Sequence, residues 1–217
     1  SVDAASKQLQ QELSHLDLLI NNAGGIIPNY YETEDGFEYT FAMNHLGHFH
    51  LTTSLLPHLK KSDDARIINV SSEAHRTGKL DFDNLMMKDN YAGFKAYANA
   101  KLCNIYFAKA LTDRLYNTNV TANALHPGVV NTRFGEQYNG VFKLLLKAMK
   151  PFMISPEKGA KTTLHLATHP EGASTSGAYF KDKKVKLPAR IAESKEAREL
   201  LWTASEELVH QALSVSA

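Results

Sequence analysis

Apolar residues fall in short runs separated by longer stretches of helical spacing, and that alternation sets the expected architecture. Residues 4–14 carry Leu9 and Leu13 one turn apart, which predicts a helix with both facing inward. Leu16-Asp17-Leu18-Leu19-Ile20 follows as a first strand and ends on Asn21-Asn22-Ala23-Gly24. A long helical region is expected over about 34–61, interrupted near Gly47 and closed by Pro57 and a charged tail. Arg66-Ile67-Ile68-Asn69-Val70 reads as a second strand running into Ser71-Ser72. Over residues 94–116 the spacing predicts a helix with Tyr97, Lys101, Ile105 and Ala108 on one face. Residues 120–125 form a third strand leading to His126-Pro127-Gly128, and 177–180 a short fourth. Strands alternating with helices predict one α/β domain over residues 1–217, built on a parallel sheet, with 181–217 as a C-terminal tail or helix.

Composition narrows the picture only a little. With 217 residues and 43% hydrophobic content the chain can bury a sizeable core. A formal charge of +1 provides no global field that would recruit nucleic acid. The single cysteine, Cys103, rules out an intrachain disulfide and reads as a small buried apolar side chain. No apolar run approaches the roughly 18 residues of a membrane span, and no signal peptide is visible.

The chemistry lies where the runs end. Sheets of this type place ligands in the crevice at the carboxyl ends of their strands. Each polar cluster above sits at such an end or on the helix packed beside it. Tyr97 and Lys101, at i and i+4, pair a phenol with an ammonium. An ammonium close to the phenol is expected to lower its pKa by roughly 1–3 units, toward the range useful for general acid–base work. Alone, Tyr97 would be an ordinary helix tyrosine and Ser72 a strand-end serine; their order along the chain joins them.

That order resembles the short-chain dehydrogenases/reductases from about residue 9 to about residue 180. Asn44-His45-Leu46-Gly47-His48-Phe49, the Ile68-Asn69-Val70-Ser71-Ser72-Glu73-Ala74-His75 stretch and Leu125-His126-Pro127-Gly128-Val129-Val130 look like the retinol-dehydrogenase-like branch. The resemblance implies a doubly wound, Rossmann-type sheet and a nicotinamide dinucleotide, NADP or NAD, with NADP slightly preferred. It implies that Tyr97 exchanges the proton with an alcohol or carbonyl oxygen and that Ser72 hydrogen-bonds that oxygen. Lys101 would hold the ribose, and Asn44 a water leading to solvent. Asn22, Ala23 and Gly24 would line the adenosine side, with Pro127, Gly128 and Val129 around the nicotinamide and Thr132 on its carboxamide. The family's opening strand and glycine-rich phosphate turn do not precede Leu16, so the chain reads as a fragment lacking roughly 60 residues. One edge of the first strand would then be unpaired.

Residues 133–156 are expected to form a substrate lid, with Phe134, Tyr138, Phe142, Leu145 and Met149 suited to a long apolar alcohol, aldehyde or ketone such as a retinoid. Lys143, Lys147 and Lys150 allow the stretch 140–154 to lie on a membrane surface. Location is then cytoplasmic or membrane-associated on the cytosolic side, and homo-oligomers are usual for the family. His45, His48 and His50 share no helical face, and no metal site is expected. Two other readings remain: a non-catalytic binding or regulatory fragment, and an epimerase or dehydratase of the extended relatives.

Overall fold

The computed structural model describes residues 1–130 and 153–215. Among them runs a five-stranded sheet in the order β1 (Leu18–Asn21), β2 (Ala65–Val70), β3 (Val120–His126), β4 (Tyr179–Lys181) and β5 (Lys184–Lys186). Strands β1 to β4 are parallel, and β5 returns antiparallel to β4. The helices are α1 (Val2–Glu12), α2 (Tyr39–Phe41), α3 (Gly47–Leu59), α4 (Gly93–Arg114), α5 (Pro156–Thr168), α6 (Pro170–Ser174) and α7 (Lys195–Val215).

Alternation along the strands feeds two cores. Leu19, Ile67 and Ala122 face Phe49, Leu55 and Leu59 of α3, Phe107 and Leu111 of α4, and Trp202 of α7. Ile68, Val70, Leu125 and Phe180 face the opposite side, where Leu166 of α5 covers them. A strand covered on both faces needs a continuous apolar run, which is why β2 and β3 stand out in the sequence. Each large side chain so buried contributes roughly 1.5–3 kcal/mol. The result is the α/β domain on a parallel sheet that the pattern predicts, in the doubly wound form that the family resemblance implies.

The long helix departs from expectation in two ways. It starts at Tyr39 rather than near residue 34, because the Glu38 carboxylate caps it, accepting from the Thr40 and Phe41 amides at 2.7 Å each. The interruption expected near Gly47 is present as a π-turn over Ala42–Leu46, in which the Gly47 amide donates to Ala42 O. Pro57 does not close the helix; it lies inside the last turns of α3, which runs on to Leu59. So near the end its missing N–H removes a single intrahelical bond.

The C-terminal stretch resolves into β5, a 3₁₀ turn at Arg190–Glu193, and α7. Strand β5 is wholly exposed, so no apolar alternation announces it. Its hairpin turns on Asp182 and Lys183, with φ of 52° and 60°, a type I′ geometry built here without glycine. Helix α7 docks on α4 and α3 through Trp202, whose ring lies 5.9 Å from that of Phe107 on α4 and 4.9 Å from that of Phe49 on α3. The Arg114 guanidinium sits 3.9 Å over the Trp202 ring and pairs bidentately with Glu199 at 3.1 and 2.7 Å. Strand β1 has a neighbour on one side only among the described residues, and Ile20 on it is 39% exposed.

Candidate active site

Three strand ends and two helices meet at one edge of the sheet. Beyond β2, Ser72 begins a 3₁₀ turn, Glu73–Thr77, its hydroxyl accepting the Ala74 amide at 3.2 Å. The same hydroxyl faces the Tyr97 phenol on α4, where it favours the ionised phenol. Lys101, one turn on, places its Nζ 5.4 Å from the centre of the Tyr97 ring and donates to Val70 O at 3.1 Å. Tyr97 and Lys101 are 8% and 4% exposed, so both sit nearly out of water.

The end of β2 is stitched to α4 by bonds that hold Ser72 opposite Tyr97. Ser71 Oγ donates to Lys101 O at 2.6 Å, and Asn104 Nδ2 shares Val70 O with Lys101, also at 3.1 Å. Asn104 is absent from the sequence-based set, although it lies three residues past Lys101 on the same face. His75 was overlooked in the same way. Its ring donates through Nδ1 to Ser72 O at 2.6 Å and accepts the Ala189 amide at Nε2 at 3.0 Å. Only the fold brings residue 189 to that point.

Burial sets the charges. It pushes the Tyr97 phenol up to about 12, against an opposing hydrogen bond from Ser72, and pulls Lys101 down to about 8. The expected lowering of the Tyr97 pKa by Lys101 therefore does not hold. The ammonium lies 5.4 Å from the ring centre and donates to Val70 O, and burial of the phenol is what dominates its pKa. Cys103, on the same helix, is buried and its thiol is raised well above the usual range, as a packing residue should be.

Asn44 reaches the site through the π-turn, which gives up regular α-helical pairing; such turns recur at functional positions. Its Nδ2 donates to Thr40 O at 2.8 Å and to Gly25 O at 2.9 Å, while its Oδ1 accepts the Gly25 amide at 3.2 Å. This two-way clamp fixes the loop after β1. On that loop Asn22, Ala23 and Gly24 are exposed, and Gly24 lies so close to Asn44 Oδ1 and Lys101 Nζ that a Cβ there would collide with the Asn44 side chain. Its neighbour Asn21 turns inward, donating to Thr52 Oγ1 at 2.9 Å and Asn69 Oδ1 at 2.8 Å.

After β3, Pro127 and Gly128 are half-buried and Val129 is 44% exposed. Gly128 has a φ of 95°, and a Cβ there would come within 2.5 Å of Ile154. Val129 O accepts the Ile154 amide at 2.8 Å, holding these two residues side by side. Thr132, Phe134, Tyr138, Phe142, Leu145 and Met149 lie outside the described residues, as does most of the expected membrane-facing stretch. His45, His48 and His50 do not converge: His45 Nε2 bonds Ser205 Oγ at 2.9 Å, and His50 lies 3.5 Å from Asp3. Burial holds His45 and His48 neutral, at about 3 and about 4. No helix among the described residues is long and apolar enough to cross a membrane.

Known proteins resemble this chain in sequence and in fold. Residues 1–141 match the family profile described as short chain dehydrogenase. The human protein Retinol dehydrogenase 14 is 42% identical over 215 residues, covering 96% of this chain and 63% of its own length. Mouse Retinol dehydrogenase 12 is 41% identical over 209 residues, covering 96% of this chain and 66% of its own. The chain thus spans about two thirds of the length of these curated relatives. Among solved structures, an uncharacterized protein from Mycobacterium Paratuberculosis superposes with a TM-score of 0.75 at 29% identity, covering 96% of this chain and 72% of that one. A carbonyl reductase from chicken fatty liver, solved with NADPH bound, gives a TM-score of 0.60 at 24% identity, covering 86% and 72%, and supports the fold alone. The chain belongs to the short-chain dehydrogenase family, in its retinol-dehydrogenase-like branch.

Proposed function

We propose that this chain carries the proton-handling and nicotinamide-side part of an NAD(P)-dependent oxidoreductase that interconverts an apolar alcohol with its aldehyde or ketone. The observation that carries this reading is the Ser72 hydroxyl facing the Tyr97 phenol, with Lys101 one turn away. Together they offer two hydroxyls to one substrate oxygen. Ser72 orients it, and Tyr97 passes the proton. A phenol near 12 stays protonated at neutral pH, which suits proton donation to a carbonyl, the reductive direction.

The dinucleotide fits the surfaces left open. The exposed backbone of Ala23 and Gly24 leaves room for a flat ring system, Val129 offers an apolar face beside Gly128, and Lys101 lies between the two loops. When bound, the nicotinamide supplies the hydride. Lys101, largely cationic below about 8, would hold the ribose hydroxyls, and Asn44 keeps the loop after β1 in place for the adenosine side. The retinoid or lipid-like character of the substrate rests on the relatives' names and on the apolar composition of residues 134–154. NADP is favoured over NAD only by the branch resemblance.

The test is Tyr97→Phe, assayed with all-trans-retinal and NADPH or NADH. Turnover should fall by roughly 10²–10⁴-fold, with dinucleotide affinity unchanged by fluorescence titration. Retained turnover rejects the role of Tyr97. Failure of the unsubstituted chain to bind either dinucleotide supports instead a non-catalytic binding form.

A further inference from the structure

At the opposite end of the sheet, His165 at the end of α5, His169 at its C-cap and Glu171 in the first turn of α6 bring three ligand atoms within 4.8 Å of one another. His165 Nε2 lies 2.8 Å from Glu171 Oε2, and the two imidazoles stack with centres 4.4 Å apart. We propose that this corner binds a first-row divalent cation such as zinc through His165, His169 and Glu171. Two imidazoles and one carboxylate suit zinc, cobalt, nickel or copper, and they offer too few oxygens for calcium or magnesium.

The backbone that holds these ligands is stiff. Arg66 Nη1 donates to Leu166 O, Ala167 O and His169 O at 3.1, 3.0 and 2.9 Å, pinning the turn between the helices. Gly172 packs so tightly on Leu166 O that a Cβ there would clash with the carbonyl, which seats α6 directly against the end of α5. Pro170 fixes the backbone between His169 and Glu171. The Arg66 charge is itself paired with Asp64 at 2.6 Å, which limits its repulsion of a cation. The cation would displace the His165–Glu171 hydrogen bond. It would also take a ring nitrogen from His169, whose Nδ1 now accepts the Glu171 amide at 3.2 Å. Those losses, with only three protein ligands, make the site weaker than closed four-ligand structural zinc sites.

Arg66 opens β2 and Ser72 follows its far end, so the two sites are separated by roughly 20 Å of strand. The cation therefore has no part in proton transfer, and its effect is to clamp α5 to α6. Zinc chloride titrated into the untagged chain by calorimetry should show one ion per chain. Cobalt should give d–d absorption of a nitrogen–oxygen site, and zinc should raise the melting temperature. His165→Ala with His169→Ala should weaken binding at least tenfold. Glu171→Gln, which keeps the amide cap on His169, should weaken it several-fold without changing the metal-free melting temperature. Binding of unchanged strength in the double variant, or dissociation constants above about 100 μM in the parent chain, would overturn the proposal. Neither outcome bears on the role of Tyr97.

Discussion

Lys101 carries its charge in a place that water does not reach. Burial takes its pKa from 10.5 to about 8, so keeping it ionised in the folded state costs, at about 1.4 kcal/mol per pH unit, about 3 kcal/mol. Lys101→Met keeps the length and apolar body of the side chain and removes the charge. The hydrogen bond to Val70 O is lost, worth about 1 kcal/mol. That carbonyl stays satisfied, because Asn104 Nδ2 also donates to it. The variant should therefore be more stable than the parent by about 2 kcal/mol at pH 7, or about 4–8 °C in melting temperature for a chain of this size. The unfolded chain binds more protons than the folded one between about 8 and 10.5, so parent stability gains from this group as pH rises through that window. The variant lacks that gain, and the gap between them should shrink from pH 7 to pH 9.5. Urea unfolding followed by the fluorescence of Trp202, the only tryptophan, measures both. A variant no more stable than the parent at pH 7, or a gap that stays constant with pH, refutes the argument. A confirmed gain would mean that stability is given up here for a buried cation with a task.

Two other outcomes are expected. Burial disfavours ionised Glu73, but hydrogen bonds from Tyr179 and Arg76 and the charges of Arg76 and Lys181 outweigh it and bring its pKa from 4.5 to about 2. Its contribution to stability is then complete above about 4.5 and disappears as pH falls toward 2; Glu73→Gln should flatten acid unfolding in that window, seen by circular dichroism. Gly172→Ala would drive a methyl into Leu166 O and should destabilise the chain by about 3 kcal/mol in urea titrations, with no change in the spectrum at neutral pH.

The sheet was legible because β2 and β3 are covered on both faces and so appear as unbroken apolar runs. Strand β5 and its Asp182-Lys183 turn were not, since an exposed edge strand has no pattern to display and this turn lacks glycine. The Tyr97, Lys101 and Ser72 constellation could be read from spacing and order because helix α4 brings the first two together and a strand end delivers the third. The clamp behind it could not. Ser71 to Lys101 O, and His75 between Ser72 O and the Ala189 amide, are contacts to backbone from distant segments, and backbone leaves no mark in residue identity. The Tyr97 pKa was misjudged for a related reason: spacing gives the distance between two side chains, whereas burial depends on everything else that packs around them.

The wide turn at Ala42–Leu46 holds the two halves of one continuous helix in different angular phase. Its early part aims Asn44 at the loop after β1, and its later part aims Phe49, Leu55 and Leu59 inward. Deleting one residue there would let the turn close to an ordinary α-turn, with the Ala42 carbonyl served from four residues on instead of five. The apolar set behind it would keep its facing, and the loss would fall on Asn44, whose aim at Gly25 depends on the wider turn.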